Sequence, residues 1–280
     1  MTRIVGVADD SSTSSPAVEL SGSTSDENVT SNTAARPVRL LISEVFGNTF
    51  QGEGPSTGRH CVFVRTARCN LHCAWCDTPY TWAWTPQLAQ RHHSRVVYQK
   101  TEETQLLDVD EVVARVTEIC AAPTTVVVSG GEPLLQKDGL LALRKPLHLL
   151  GHRIEVETAG TRTPGQLAHL IDQWNVSPKL RHSGNEDSLR IQPNNLREFA
   201  ELDHAHFKFV CRNVDDLWEV ARDFVSPYKI PRARVWIMPE GTTPDVILER
   251  MRELADPVLE YGWNLTTRLH TLLWGEERGR

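Results

Sequence analysis

The stretch Arg68-Cys69-Asn70-Leu71-His72-Cys73-Ala74-Trp75-Cys76-Asp77-Thr78 decides how the rest of this chain is interpreted. It places Cys69, Cys73 and Cys76 within eight residues, in the spacing C-x3-C-x2-C. Cysteine thiolates are the usual ligands of iron–sulfur clusters, with four thiolates on a cubane cluster. Three thiolates leave one iron without a protein ligand, much as a catalytic zinc site keeps one open position. The spacing therefore predicts a [4Fe-4S] cluster whose open iron binds a substrate or cofactor.

Other uses of these cysteines are less well supported by the pattern. Zinc sites usually show two C-x2-C pairs, or one such pair with two distant histidines, and this chain has one triplet. A disulfide is disfavoured because the N-terminus lacks the apolar core of a secretory signal and cytosolic thiols stay reduced. The remaining cysteines occur singly in apolar settings, which is typical of buried structural thiols; they are Cys61, Cys120 and Cys211. A zinc site would need a histidine such as His60, His72, His92 or His93.

Composition sets broad limits on the function. The 280 residues are 40% hydrophobic and 24% charged, with a net charge of −6, as in an ordinary globular protein. The negative charge argues against a nucleic-acid binder. No apolar run approaches the ~20 residues of a membrane span, so we expect a cytoplasmic protein.

Hydrophobic patterning predicts an α/β fold. Residues 1–36 are rich in Ser, Thr, Asp and Asn, have no aromatic residue, and are expected to be a disordered, dispensable tail. Residues 37–280 are expected to form one core domain. It contains an insertion at about 79–107, for which two interpretations are open: a shield over the cysteines or a plain surface loop. Strands are expected at 38–42, 60–66, 124–128, 153–158, 174–176, 205–210 and 234–237. Helices are expected at 108–121, 134–150, 164–173, 196–202, 214–225 and 244–254, with a loop at 46–54, a polar loop at 181–192 and a closing segment at 263–274.

About six strand–helix alternations imply a parallel sheet with right-handed crossovers. The chain is short for a complete eight-unit barrel of ~250 residues, so a partial (β/α)6 barrel fits better. Polar and glycine-rich turns follow several of the predicted strands. Because the carboxyl ends of parallel strands meet at one mouth, these turns are expected to converge there.

The residues around the triplet resemble the 7-carboxy-7-deazaguanine synthases, a family of radical S-adenosylmethionine (SAM) enzymes. The resemblance runs from about Leu40 to Trp274. Its most specific parts are the region from Gln51 to Thr78 and the segment LHTLLWG at 269–275. It implies the partial (β/α)6 barrel of the radical SAM type and often a homodimer.

The resemblance also implies an activity. The open iron would chelate the amino and carboxylate groups of SAM, and an electron from flavodoxin or ferredoxin would lead to a 5′-deoxyadenosyl radical. That radical would take hydrogen from 6-carboxy-5,6,7,8-tetrahydropterin, which contracts, loses ammonia and gives 7-carboxy-7-deazaguanine for queuosine-type biosynthesis. Such an enzyme is a carbon–nitrogen lyase with a [4Fe-4S] cluster, SAM and Mg2+. A glycyl-radical-enzyme activase shares the triplet and is the alternative enzyme; a zinc-binding interaction module is the alternative outside enzymes.

Site residues follow from the resemblance position by position. No side chain is assigned as catalytic, because the radical arises on SAM, and Thr78 is expected to help hold Mg2+. The residues expected to bind SAM are Trp75, Asp77, Gly130, Gly131, Glu132, Glu157, Thr158, Ser177, Pro178, Lys179, Met238, Pro239, Glu240 and Gly241. Those expected to bind the substrate are Phe50, Gln51, Gly52, Glu53, Arg65, Ser129 and His270. Without the resemblance, Arg65 could be a surface ion pair, Thr78 a loop residue, and 269–274 core.

Overall fold

The strand-like runs of the sequence form one mixed sheet in a computed structural model that describes residues 37–275 and 277–280. In these residues the strands are β1 (Arg39–Phe50), β2 (His60–Thr66), β3 (Gln105–Asp108), β4 (Thr125–Gly130), β5 (Arg153–Thr158), β6 (Gln173–Val176), β7 (Ala205–Cys211), β8 (Val235–Pro239) and β9 (Asn264–Leu265). Their order is β3-β1-β2-β4-β5-β6-β7-β8-β9. Strands β2 and β4 to β9 run parallel, and β1 is antiparallel to both β2 and β3. Strands β3 and β9 are the two edges, so the barrel is partial, as predicted.

Helices connect the parallel strands. They are α1 (Pro86–Ala89), α2 (Lys100–Glu103), α3 (Val109–Ile119), α4 (Lys137–Leu149), α5 (Asp187–Arg190), α6 (Pro193–Glu201), α7 (Val214–Glu219), α8 (Ser226–Tyr228), α9 (Pro244–Tyr261) and α10 (Leu269–Trp274). Asp108 caps α3 as predicted, in a capping box with Glu111. Helices α7 and α8 are joined by a π-helical stretch, Val220–Val225. Within the described residues, no helix is long and apolar enough to cross a bilayer.

Both faces of the sheet are apolar, but one packs against the helices and the other faces the inside of the barrel. Alternate residues such as Val62, Val64, Val126 and Val128 belong to the large core shared with the helices. Their neighbours on the opposite face, among them Phe63, belong to a small separate cluster inside the barrel. Burial on both faces explains why these strands read as continuous apolar runs. The inner face is therefore the part of the sheet that can shape a site.

Several details of the predicted elements were wrong. The helix expected at 244–254 continues to Tyr261, and the polar loop expected at 181–192 contains α5. The loop expected at 46–54 begins later, because β1 stays paired with β2 as far as Phe50. The helix expected at 164–173 is only a 3-10 turn, Gly165–Leu167; Gly165 has a φ of +53° there, which right-handed helix does not allow. Strand β3 was missed inside the 79–107 insertion, where it pairs with β1. The prediction for residues 1–36 lies outside the described residues.

Candidate active site

A cavity of about 610 Å³ lies where the parallel strands end, within the usual size range of small-molecule sites. Cys69, Cys73 and Cys76 line it, as do residues that follow β4, β5, β6 and β8. The convergence predicted from strand ends is therefore present. All but four of the residues predicted for the site line this cavity, and the four that do not are Gly52, Glu132, Pro178 and Pro239.

The three cysteine sulfurs each receive one N–H hydrogen bond. The donors are Leu71 N to Cys69 at 3.4 Å, Asn185 Nδ2 to Cys73 at 3.3 Å, and Trp82 Nε1 to Cys76 at 3.4 Å. Burial raises the pKa of the Cys73 thiol to about 12 and also raises the pKa of Cys69 and of Cys76. Thiolates in such a place need a bound cation to offset the desolvation. One buried and two half-buried thiols that already attract N–H donors fit an iron–sulfur cluster.

The arrangement of the side chains does not support the alternative of a zinc site. Among residues 37–275 and 277–280, no three His, Cys, Asp or Glu side chains are grouped so as to hold a single metal ion. His92, one of the candidate ligands, instead donates from Nε2 to the Cys76 carbonyl at 2.8 Å. A cluster, which spaces its cysteines more widely than one ion does, remains the better match to the triplet.

The glycine pair at the end of β4 allows two parts of the chain to pack closely. A Cβ at Gly131 would lie 1.9 Å from the Arg68 carbonyl oxygen, and one at Gly130 would lie 2.1 Å from that of Thr66. Gly130 also has a φ of +129°, which favours glycine. These residues let the end of β4 pack directly on the start of the cysteine loop. The close approach is therefore between two parts of the chain, while both glycines still line the cavity.

Glu132 is a buried structural carboxylate. It accepts hydrogen bonds from Thr158 Oγ1 at 2.8 Å, from Ala159 N at 2.9 Å and from Leu134 N at 3.1 Å. These contacts join the turn after β4 to the end of β5. The carboxylate oxygens of Glu132 are therefore occupied by the protein, and its contact with SAM stays a prediction.

An ionic network crosses one side of the cavity. The Glu53 carboxylate pairs with Lys208 on β7 and accepts from Arg268 Nε at 3.4 Å. Arg268 also donates to Asp77 Oδ2 at 2.6 Å and to the Gly241 carbonyl at 2.7 Å. Burial alone would raise the pKa of Glu53, but Lys208 and Arg268 together hold it well below its usual value. Glu53 is therefore a carboxylate whenever the protein is folded near neutral pH.

Glu157 lies beside this network in a different electrostatic state. Gln51 Nε2 donates to it at 3.0 Å, and Gln51 Oε1 accepts from Glu53 N at 3.2 Å. Burial raises the pKa of Glu157, partly offset by Lys208. The pKa values of Glu53 and Glu157 are thus shifted in opposite directions although both residues line one cavity. Pairs of carboxyl groups whose pKa values are pushed apart are typical of functional sites.

Arg65 is both an ion pair and a cavity residue. Its Nε donates to Glu44 Oε2 at 2.9 Å, and that carboxylate also accepts from Tyr80 and Arg278. The guanidinium lies 5.3 Å from the centre of the Phe46 ring. In the described part of the chain its two Nη groups have no hydrogen-bond partner, so they are available to a ligand in the cavity.

Two orphaned donors and one cation mark another side of the cavity. Ser129 Oγ and Trp75 Nε1 are buried without a hydrogen-bond partner among the described residues. Lys179 Nζ lies 5.7 Å from the Trp75 ring centre and donates to Ser177 Oγ at 3.0 Å. Buried donors of this kind are rare unless a ligand pairs with them. This wall fits a polar cofactor with an anionic group, such as SAM with its carboxylate.

The C-terminal helix α10 reaches the site through its second residue, the half-buried His270. A Cβ at Gly52 would lie 2.1 Å from His270 Nδ1, and Leu269 N donates to the Gly52 carbonyl at 2.9 Å. Gly52 therefore shapes the site by leaving space for His270 rather than by facing the cavity itself.

Several cavity residues were missed from the sequence. Lys208 was one, although a single lysine in the apolar strand AHFKFVC was a usable signal. Arg268 and Trp82 were others, and nothing local marks them. The 79–107 segment supplies Trp82, His92 and His93 to the cavity wall, so it contacts the cysteine loop rather than being only a surface loop.

Comparison with known proteins shows what this arrangement is similar to. Residues 63–183 match the Radical SAM superfamily. The chain is 36% identical to the 7-carboxy-7-deazaguanine synthase of Pyrobaculum aerophilum over 86% of this chain and 98% of that protein. It is 35% identical to the synthase of the same name from Hyperthermus butylicus over 86% and 95%. The crystal structure of QueE from Escherichia coli superposes with a TM-score of 0.59 at 23% identity, over 83% of this chain and 95% of that one, and shows a shared fold.

Proposed function

Because the chain belongs to the 7-carboxy-7-deazaguanine synthase family of radical SAM enzymes, we propose that it converts 6-carboxy-5,6,7,8-tetrahydropterin to 7-carboxy-7-deazaguanine with loss of ammonia. The observation that carries this proposal is one cavity lined both by the three-cysteine loop and by Gln51, Glu53, Arg65 and His270. A cavity that combined only the cysteines with apolar residues would suit many radical SAM reactions. The family relatives favour neither an activase nor a zinc-binding module.

Cys69, Cys73 and Cys76 are the residues that would hold the [4Fe-4S] cluster. Bound cluster and SAM supply the radical chemistry, and the protein positions them and excludes water. The partnerless donor Trp75 Nε1, with Lys179 beside it, is assigned to SAM, while the partnerless Ser129 Oγ stays assigned to the substrate. Thr158, Ser177, Met238 and Gly241 lie at or just after the ends of β5, β6 and β8 and line the same cavity, and they are assigned to SAM together with Asp77, Glu157 and Glu240.

The substrate carboxylate is assigned to Arg65. Its Nε is held by Glu44, which fixes the guanidinium plane, and the two Nη groups match the two oxygens of a carboxylate. Phe50, whose ring stacks on Trp274 with centroids 6.3 Å apart, adds an apolar surface to the cavity lining.

The donor-rich edge of the pterin is assigned to Gln51 and Glu53. Lys208 keeps Glu53 ionised, so that this carboxylate accepts hydrogen bonds from ring N–H groups. His270, from the C-terminal segment, also lines this cavity. Burial lowers the pKa of His270, so its ring is neutral near pH 7. A neutral imidazole has one donor and one acceptor nitrogen.

Mg2+ is assigned to Thr78. This residue is buried against the cysteine loop, and its hydroxyl lies 3.6 Å from Cys76 Sγ and lines the cavity. A hydroxyl is a suitable ligand for a hard cation, which takes its other oxygens from water and substrate. When bound, Mg2+ would orient the substrate carboxylate between Thr78 and Arg65.

The wider setting is also proposed. All six cysteines are free thiols, the state that the cytoplasm maintains, and we place the enzyme there with flavodoxin or ferredoxin as electron donor. Its product would enter queuosine-type 7-deazapurine biosynthesis. The homodimer stays a prediction.

The test is anaerobic turnover of the reconstituted full chain with dithionite, SAM and the tetrahydropterin acid, with product identified by mass spectrometry. Cys120→Ala is a matched control for Cys73→Ala, because Cys120 lies outside the cavity. We expect product from the wild-type and Cys120→Ala enzymes and none from Cys73→Ala. A wild-type enzyme with about four irons per chain that cleaves SAM yet makes no deazaguanine would refute the proposed substrate.

A further inference from the structure

Two side chains from outside the cysteine loop point N–H groups at cysteine sulfurs. Trp82 comes from the 79–107 segment and Asn185 from the loop before α5, 112 residues from Cys73. Both side chains are almost completely buried, at 2% exposure for Trp82 and 5% for Asn185. Neither is part of the cysteine motif or of the residues assigned above to SAM and substrate.

The orientation of Asn185 is fixed by its second hydrogen bond. Its Oδ1 accepts from His72 N at 2.9 Å, so the other side of the amide must carry the NH2 group that faces Cys73 Sγ. Ser183 supports this arrangement, because its Oγ accepts from Asn185 Nδ2 at 3.2 Å and its carbonyl accepts from Ala74 N of the cysteine loop at 2.9 Å. The amide therefore presents a donor, not an acceptor, to the sulfur.

Trp82 is held equally firmly. Its ring packs edge-on against His72, with centroids 4.9 Å apart, and against His92, with centroids 6.2 Å apart. An indole N–H can only donate, and here the acceptor is Cys76 Sγ. Neighbouring Trp84 makes a different contact, donating to the Tyr80 carbonyl at 2.8 Å.

We propose that Trp82 and Asn185 are positioning residues that raise the reduction potential of the cluster. Hydrogen bonds to cluster sulfurs are one of the ways a protein sets this potential. The reduced cluster carries one more negative charge, so a donor at sulfur stabilises the reduced form more than the oxidised form. Burial strengthens the effect because little water competes for the sulfur. This inference rests on the cluster of the proposed function.

The experiment is a redox titration of reconstituted full-length protein without SAM, followed by electron paramagnetic resonance of the reduced cluster. Trp82→Phe removes the N–H and keeps an aromatic ring, and Trp84→Phe is its matched control. Asn185→Leu tests the second donor, with Asn264→Leu as its control, because the Asn264 amide donates to the Ala233 and Val235 carbonyls instead of to a sulfur. At a fixed potential we expect the ratio of reduced to oxidised cluster to fall about threefold in Trp82→Phe and in Asn185→Leu, and to stay unchanged in both controls.

Iron and sulfide content are measured in every variant, so that only loaded protein is compared. Wild-type potentials in fully loaded Trp82→Phe and Asn185→Leu would overturn the inference, as would an equal shift in Trp84→Phe. A wild-type chain that assembles no cluster would instead remove the proposed function, and this inference with it.

Discussion

Arg268 Nη2 donates to Asp77 Oδ2 at 2.6 Å and so joins the C-terminal segment to the residue that follows the last cysteine of the motif. The same guanidinium contacts Glu53 and the Gly241 carbonyl. One side chain thus connects the cluster loop, the proposed substrate loop and the turn after β8, which are far apart in sequence.

Replacing Arg268 with glutamine should separate these three loops. We expect kcat/KM for the pterin to fall at least tenfold, because misplaced binding groups weaken the alignment of the reacting atoms. Cluster content should stay normal, since no thiolate is removed. Arg39→Gln, which breaks an exposed ion pair with Asp108, is the control and should have wild-type kinetics. Equal kinetics in both variants would contradict a bracing role for Arg268.

Lys208→Met should leave the Glu53 charge poorly compensated. Removing one partner of a buried pair typically costs about 3–5 kcal/mol, and we expect a loss of unfolding free energy near the lower end because the cavity admits water. Chemical denaturation measures this. The double variant Lys208→Met/Glu53→Gln should recover part of the loss; a double variant less stable than Lys208→Met alone would rule out this pairing as the cause.

The depressed pKa of Glu53 predicts a pH dependence. A carboxyl whose folded pKa is below its unfolded value contributes stability that is present above the unfolded pKa, and that is lost as the pH falls toward the folded pKa. With an ordinary value of 4.5, the unfolding free energy of the wild type should fall more steeply below about pH 4.5 than that of Glu53→Gln. Denaturation midpoints for both proteins across that range provide the measurement, and parallel curves would contradict the assignment.

Gly52→Ala should displace His270, because the new Cβ would meet its ring. We expect the single variant to keep its cluster and to lose most turnover. In a His270→Ala background the obstruction is gone, so the same glycine change should cost much less. This double-mutant cycle isolates the contact; additive effects on kcat/KM would show that Gly52 acts in some other way.

Thr78→Val tests the Mg2+ assignment, since valine keeps the shape and removes the oxygen. Product formation should lose its dependence on Mg2+ or stop, while cluster content stays normal and SAM cleavage without substrate is less affected. Thr81→Val is the control, because the Thr81 hydroxyl donates to the Thr78 carbonyl within the protein. An unchanged Mg2+ response in Thr78→Val would remove the metal from this residue.

The sequence by itself determined the features that depend on residues close together in the chain. The three thiols must lie near one another because all three fall within eight consecutive residues. The strand–helix alternation determined a parallel sheet, and hence the common mouth where Ser129, Thr158 and Ser177 meet the cysteines. The segment at 164–173 shows the limit of such patterns, since a left-handed Gly165 prevents the helix that a proline at the first turn favoured.

Only the tertiary structure decided which distant groups face that mouth. Lys208 meets Glu53 across 155 residues, Arg268 meets Asp77 across 191, and Asn185 meets Cys73 across 112. No local pattern encodes such pairs, because they depend on how separate strand ends are brought together. The same reason applies to the contacts of Glu132. Its position beside a glycine turn suggested that it binds SAM, but only the structure shows that its carboxylate accepts hydrogen bonds from Thr158 and Ala159 at the end of β5.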